Sequence, residues 1–419
     1  MKILYLINII FPDYAKYYKL DSNFYGGWIS STINQLKKEE NIELIVCFPD
    51  NTINYVREIV INNVKYIGFP KKKYNPYIYD KNLKFLFSDI IKKEQPNLVH
   101  IFGTEFSHTL SMCEAFNSPS KTLINIQGIC NAIYLHYLDG LSCSTQNAIT
   151  FIELLRKNTL KQQKKHFFQQ SKNEIASLNK VENIIGRTEY DYAWIKKINP
   201  NINYYHCNET LRPIFYKHSW KYESCIKHSI FISQAGYPIK GFHIFLEALV
   251  IVIKRYPDCK VKVAGPNILK NKIKFFSKSS YYKYLINFLD KNDLRKNVEF
   301  LGDISDEEML NEYIKSNLFV IPSMCENSPN SLGEAMLLGV PCVCSDVGGI
   351  SELIRHNEEG FVYQSNDSTM LAHYITKMFQ LENSVVKYTI KARNHASQIY
   401  NQKSNLSNLI SIYKKILSK

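Results

Sequence analysis

A chain of 419 residues, 45% hydrophobic and 21% charged, is long for a single core and too apolar for a disordered or fibrous protein, so two globular domains are expected. No stretch reaches the roughly eighteen apolar residues that a membrane-spanning helix needs. The net charge of +14 fits either a compositional bias towards lysine or attraction to an anionic membrane surface, and both readings stay open.

Residues 2–11 read as a first strand rather than a signal peptide, because a single lysine precedes the apolar run and no small-residue cleavage site follows it. Gly26-Gly27, an amphipathic helix over 28–38 and a strand over 42–48 complete a βαβ opening. Further strands are expected at 97–102, 122–126 and 183–185, between Lys-rich helices at 83–93 and 151–171. Residues 200–222 hold two prolines and irregular polarity and read as the linker, which sets domains at 1–213 and 214–394. Beyond it strands at 229–233, 260–264, 297–301, 318–322 and 341–345 alternate with helices at 242–255, 281–291, 306–316 and 331–338. After about residue 368 the pattern is helical. Such alternation implies parallel sheets covered on both faces. Ten cysteines lie scattered without a Cys-x-x-Cys pair, which points to free thiols in a reducing cytoplasm and against a metal site.

Ligands of doubly wound sheets bind beyond the carboxyl ends of the strands, so the turns there carry the candidate chemistry. The turn Pro322-Ser323-Met324-Cys325-Glu326-Asn327-Ser328-Pro329-Asn330-Ser331 opens a helix that holds Glu334. Were Glu326 and Glu334 both helical they would stand roughly 12 Å apart, too far to act on one bond but enough to span the sugar and ribose of a nucleotide sugar. The amides of Ser328, Pro329's successor Asn330 and Ser331 would present a phosphate site at the helix N-terminus. The alternative is a helix capped by Asn330 or Ser331 with glutamates on the surface. A second turn is Ser233-Gln234-Ala235-Gly236-Tyr237-Pro238-Ile239-Lys240-Gly241, and Gly26-Gly27 is a third. Phe102-Gly103-Thr104-Glu105 with His108, and Ile126-Gln127-Gly128, also end strands.

The stretch 320–360 resembles the donor-site signature of the retaining GT-B glycosyltransferases of family four, of the glycosyl transferases group 1 type. It has the Pro-Ser turn, Glu326 and Glu334 in Glu-x7-Glu, Glu334-Ala335-Met336, and Gly339-Val340-Pro341. The resemblance implies an α/β protein of two Rossmann-like doubly wound domains facing across a cleft, with helices at about 395–419 returning to the first. It implies that Glu326 contacts the transferred sugar and Glu334 the ribose, and that Asn327, Ser328, Pro329, Asn330, Ser331, Gly26, Gly27 and Gly236 surround the donor. Lys240 would neutralise the diphosphate. The family's arginine position is Ala235 here, so a substitute cation is expected, with Arg187 or Arg212 as candidates. The family's histidine position is Gln127, which can hydrogen-bond the sugar but not titrate. Thr104, Glu105 and His108 are candidate acceptor contacts, with a loop salt bridge as the alternative for Glu105 and His108.

The implied activity is transfer from a nucleotide-diphosphate sugar to a saccharide or lipid-linked saccharide acceptor, in bacterial surface polysaccharide synthesis. The nucleotide sugar is a substrate, and neither cofactor nor metal is implied. The expected location is the cytoplasm or the inner face of the membrane. A sugar-nucleotide epimerase of the same architecture is the rival enzyme, disfavoured by the Glu-x7-Glu turn with Lys240-Gly241. No nucleic-acid partner is expected, because the basic residues are spread over many helices without one basic-aromatic module. A nicotinamide enzyme is set aside for want of Gly-x-Gly-x-x-Gly after a strand.

Overall fold

The computed structural model describes residues 1–20, 27–270 and 278–418. These form two compact α/β units, one from Met1–Asn131, His166–Arg212 and Tyr400–Lys419, the other from Ala132–Lys165 and Pro213–Ile399.

The first unit is built on eight strands: β1 Lys2–Leu6, β2 Glu43–Asp50, β3 Arg57–Ile61, β4 Val64–Pro70, β5 Leu98–Phe102, β6 Thr122–Asn125, β7 Asn183–Gly186 and β8 Asn203–His206. Their order is β3-β4-β2-β1-β5-β6-β7-β8. All neighbours are parallel except the β3-β4 pair. In β1, Ile3 pairs with Leu44 of β2 and Leu98 of β5, and both faces are covered, which is why these strands read as unbroken apolar runs. The β3-β4 hairpin escaped the sequence reading. Its signal was Asn62-Asn63, both left-handed at φ 50° and 63°, as a two-residue turn between apolar strands requires. β8 also appears, inside the stretch read as linker.

The C-terminal helix Gln402–Leu417 belongs to this unit. Ile412 and Ile416 join its apolar core, while the Tyr413 hydroxyl lies 2.7 Å from His100 Nδ1 and 2.5 Å from the Tyr5 hydroxyl. Burial pushes the His100 imidazole down to about 3, so it sits there neutral.

The second unit has six strands: β9 Ile226–Ile232, β10 Lys260–Ala264, β11 Val298–Gly302, β12 Ser316–Ile321, β13 Cys342–Asp346 and β14 Phe361–Gln364, in the order β11-β10-β9-β12-β13-β14 and all parallel. β12 is buried along its whole length, as the central strand of a sheet with helices on both faces must be. The helix Asp306–Lys315 starts at a Ser305/Glu308 capping box, carries acidic residues in its first turn and ends on Lys315, in accord with its dipole.

Three expectations change. The helix read over 151–171 is two helices, Phe151–Arg156 and Leu160–Leu178. Lys157 turns left-handed at φ 49°, and Thr159 opens the next helix, its Oγ1 accepting from the Gln162 amide. Residues 132–165, read as part of the first domain, group with the second. There Glu153 Oε1 accepts from both the amide and the hydroxyl of Ser280, and His243 Nε2 lies 3.1 Å from the Asp139 carbonyl. The chain re-enters the first unit at Tyr400 rather than near 395. All ten cysteines are free, and all but Cys143 are buried.

Candidate active site

β9 and β12 are neighbours in a parallel sheet, so the loops that leave Ile232 and Ile321 emerge side by side at one edge. The first loop ends in a tight turn, Pro238–Lys240, followed by Gly241 at φ +65°, which caps the helix Phe242–Val252. No other residue fits at 241, because a Cβ there would lie 1.7 Å from the carbonyl oxygen of Pro322 in the second loop. The Met324 amide donates to the Ile239 carbonyl at 2.8 Å, so two main-chain contacts register the loops against each other.

That registration brings Lys240 to Glu326. Lys240 Nζ donates to Glu326 Oε1 at 2.7 Å, and the Ser323 hydroxyl donates to the same oxygen at 2.7 Å. The loop is tied in turn to its neighbours: the Ser345 hydroxyl of β13 donates to the Ser323 carbonyl at 2.6 Å, and the Gly349 amide to the Asn327 carbonyl at 3.1 Å. Burial pulls the Lys240 ammonium down, but the Glu326 carboxylate outweighs it, leaving the lysine above its ordinary range and charged at neutral pH. Lys240 remains 24% and Glu326 13% exposed. An ammonium has three donors, and this contact occupies one of them.

The helix Asn330–Leu338 begins three residues beyond Asn327 and ends at Gly339, which is left-handed at φ 76°. Asn330 and Ser331 are its first two residues, not its cap. The capping position is Pro329, whose side chain makes no capping hydrogen bond, and its carbonyl accepts from the Leu332 amide at 3.0 Å. Glu326 lies in the loop and only Glu334 in the helix, so the helical spacing of 12 Å does not apply to them. Glu334 is buried in the second turn rather than on the surface, and Asn327 and Ser328 are buried as well. Ala235 is buried, and Gly236 has room for a side chain, since a Cβ there would meet Pro266 Cδ at an ordinary 3.5 Å.

In the first unit, Gly27 opens the helix Gly27–Leu36, while Gly26 lies outside the described residues. Gln127 follows β6. Its Nε2 donates to Asn125 Oδ1 at 3.1 Å and to Glu209 Oε1 at 2.7 Å. The other oxygen of Glu209 is 3.0 Å from Arg187 Nη1, and both side chains of this pair are only 4% exposed. Arg187 Nη2 donates to the Ile126 carbonyl at 3.2 Å. Arg187 is therefore neither a surface nor a linker arginine: its charge is matched inside the first unit, and the group it holds is the Glu209 carboxylate that holds Gln127. Glu209 was missed in the sequence because nothing local marks it. Arg212 is half-buried at the end of this unit's middle segment.

Thr104 Oγ1 donates to Glu174 Oε2 at 2.5 Å, and the same carboxylate accepts from the amides of Cys130 and Asn131 at 3.1 and 3.0 Å. Glu105 forms no salt bridge among the described residues but turns inward, its Oε1 accepting from the Gly128 amide at 2.7 Å. Burial pushes its carboxyl up to about 7 despite that hydrogen bond, and the Glu174 charge adds to the rise. His108 is buried and stacked on Phe106 with ring centroids 5.2 Å apart, and burial lowers it to about 3. It is a neutral core side chain.

Residues 227–395 match the family described as Glycosyl transferases group 1. The matched stretch lies within the second unit. It contains Lys240, Glu326 and Glu334 together. AmsK, the amylovoran biosynthesis glycosyltransferase of Erwinia amylovora, is 33% identical over 116 residues, 26% of this chain and 28% of that one. The Escherichia coli UDP-Gal:alpha-D-GlcNAc-diphosphoundecaprenol alpha-1,3-galactosyltransferase is 26% identical over 179 residues, 42% of each chain. The chain thus matches less than half the length of these relatives. In structure, Anabaena HepE in complex with UDP and glucose superposes with a TM-score of 0.68 at 16% identity, covering 99% of this chain and all of that one. The fold is of the GT-B type, as the resemblance of the stretch 320–360 implies.

Proposed function

We propose that the protein is a retaining glycosyltransferase that moves a sugar from a nucleoside-diphosphate donor to a saccharide or lipid-linked saccharide acceptor in surface polysaccharide synthesis. The observation that carries this reading is the 2.7 Å contact of Lys240 with Glu326, in the loop that leads into the helix Asn330–Leu338. A leaving diphosphate gains charge as the glycosidic bond breaks, and a fixed ammonium with aligned amides stabilises that charge without rearrangement. Lys240 keeps two donors for phosphate oxygens while the third fixes Glu326. In this reading Glu326 orients the sugar and Glu334 holds the ribose. As the donor's carbon–oxygen bond breaks, the acceptor oxygen bonds to the same face of that carbon, and the departing diphosphate oxygen takes the acceptor proton. The scheme uses no metal.

Two relatives favour particular substrates. HepE was solved with UDP and glucose, and the E. coli relative is named for transfer from UDP-Gal to a diphosphoundecaprenol-linked sugar. The test is a thermal-unfolding screen of UDP-, GDP-, ADP- and TDP-sugars, with the anomeric configuration of the product read by NMR. A donor at a hundred times its Kd adds about 2.7 kcal/mol of stability, a rise of roughly 5–10 °C for a domain of this size. Protection by no nucleotide sugar at millimolar concentration, or an inverted product, would overturn the proposal.

A further inference from the structure

The short helix Phe151–Arg156 is amphipathic the wrong way round for a helix on a water-facing surface. Its polar side is turned to the protein: Thr150 and Glu153 form a buried capping box, and Glu153 is held by the Ser280 amide and hydroxyl at 2.9 Å each. Its apolar side is turned outward, with Phe151 75%, Leu155 64% and Leu154 60% exposed, and Ile149 just before it is 61% exposed. Positions 151, 154 and 155 share one helix face, so these side chains form one patch. Leaving large apolar groups together in water is unfavourable, and such a patch marks a surface that something covers.

The surrounding charge says what. Between Asp139 and Glu174 the only acidic residue is Glu153, buried and fully engaged, whereas Arg156, Lys157, Lys161, Lys164 and Lys165 follow the patch directly. Arg156, Lys157, Lys161 and Lys165 are exposed. Apolar side chains flanked by a one-signed basic run match an anionic lipid surface, where the former enter the acyl boundary and the latter meet the headgroups. A protein partner complementary to this patch would have to be both apolar and acidic within a few residues. A second copy of the chain is disfavoured, because pairing equal patches would oppose like charges.

We infer that residues 149–165 form a membrane-docking element, in which Ile149, Phe151, Leu154 and Leu155 insert into an anionic lipid surface and the basic run anchors to its headgroups. The anchor is tied to the rest of the second unit through Glu153 and Ser280. This assignment stands whether or not the transferase reading does, because docking needs neither donor nor acceptor.

Sedimentation of the full-length protein with vesicles tests it. Wild type should bind vesicles of phosphatidylcholine with 30% phosphatidylglycerol, bind pure phosphatidylcholine at least tenfold more weakly, and lose binding as salt rises, a composition chosen from about −30 mV of surface potential in natural leaflets. Leu154→Gln with Leu155→Gln should weaken binding to the anionic vesicles at least tenfold, as should Lys161→Glu with Lys165→Glu. Ile390→Gln, an exposed apolar side chain elsewhere in the same unit, should bind as wild type. Circular dichroism and the melting temperature should be unchanged in all three variants. Wild type that ignores anionic vesicles overturns the inference, and so does undiminished binding by the folded Leu154/Leu155 variant. A dimer in analytical ultracentrifugation that this variant dissociates would overturn it in favour of self-association.

Discussion

Replacing Gly241 with alanine should damage both the fold of the second unit and its candidate chemistry. The added Cβ would stand 1.7 Å from the Pro322 carbonyl oxygen and 2.6 Å from its carbon. An ordinary carbon–oxygen contact is about 3.3 Å, so one loop must yield by roughly 1.6 Å. The left-handed backbone costs alanine about 1 kcal/mol, and forced repacking of a tight contact adds about 1–3 kcal/mol. The expected loss is thus about 2–4 kcal/mol, or roughly 4–16 °C in melting temperature at about 2–4 °C per kcal/mol. Lys240 is the adjacent residue and Pro322 lies four residues before Glu326, so the displacement falls on the Lys240–Glu326 contact. A misplacement on the order of 1 Å lowers turnover about a hundredfold. Urea unfolding and steady-state turnover on the best donor of the thermal screen measure the two effects. Gly236→Ala is the control for stability, because its Cβ would find an ordinary contact at 3.5 Å from Pro266. A Gly241→Ala protein with wild-type melting temperature and turnover would refute the claim that this glycine registers the two loops.

Lys240→Ala should lower kcat about 100- to 1000-fold while moving the melting temperature little, because a partly exposed ion pair contributes at most about 1 kcal/mol to stability; a kcat within threefold of wild type contradicts the role given to the lysine, and a rate abolished by EDTA contradicts the metal-free scheme. Arg187→Ala strands the buried Glu209 carboxylate and should cost about 3–5 kcal/mol in urea unfolding, whereas Arg187→Met with Glu209→Leu should cost markedly less; equal losses would show that the ion pair is not what matters. Glu105 binds its proton more tightly folded than unfolded, so its stabilising contribution is whole below about pH 4.5 and is lost as pH rises to about 7. Glu105→Gln should therefore raise the urea midpoint at pH 8 and leave it unchanged at pH 4, and an identical shift at both would show that its titration is not coupled to folding.

The sequence alone determined what depends on neighbours along the chain. Five of the six strands described in the second unit, all but the edge strand Phe361–Gln364, were legible as short apolar runs between helices, the pattern of a parallel sheet buried on both faces. The candidate site around Glu326 was legible because Pro322 to Glu334 is one continuous turn and helix start. Even the missed β3-β4 hairpin was written locally, in Asn62-Asn63. Tertiary structure decided whatever depends on pairs far apart in sequence. Thr104 meets Glu174 across 70 positions, and Ser280 meets Glu153 across 127. No periodicity announces either. Arg187 reads as a candidate for the missing cation until Glu209 is found at its guanidinium, and nothing in the helix read over 151–171 shows that Glu153 faces inward while Phe151, Leu154 and Leu155 face out. The physical reason is the same in each case. Propensity and hydrophobic period fix how a segment folds, but which side of it meets protein is settled by the partner that satisfies its buried charges and hydrogen bonds.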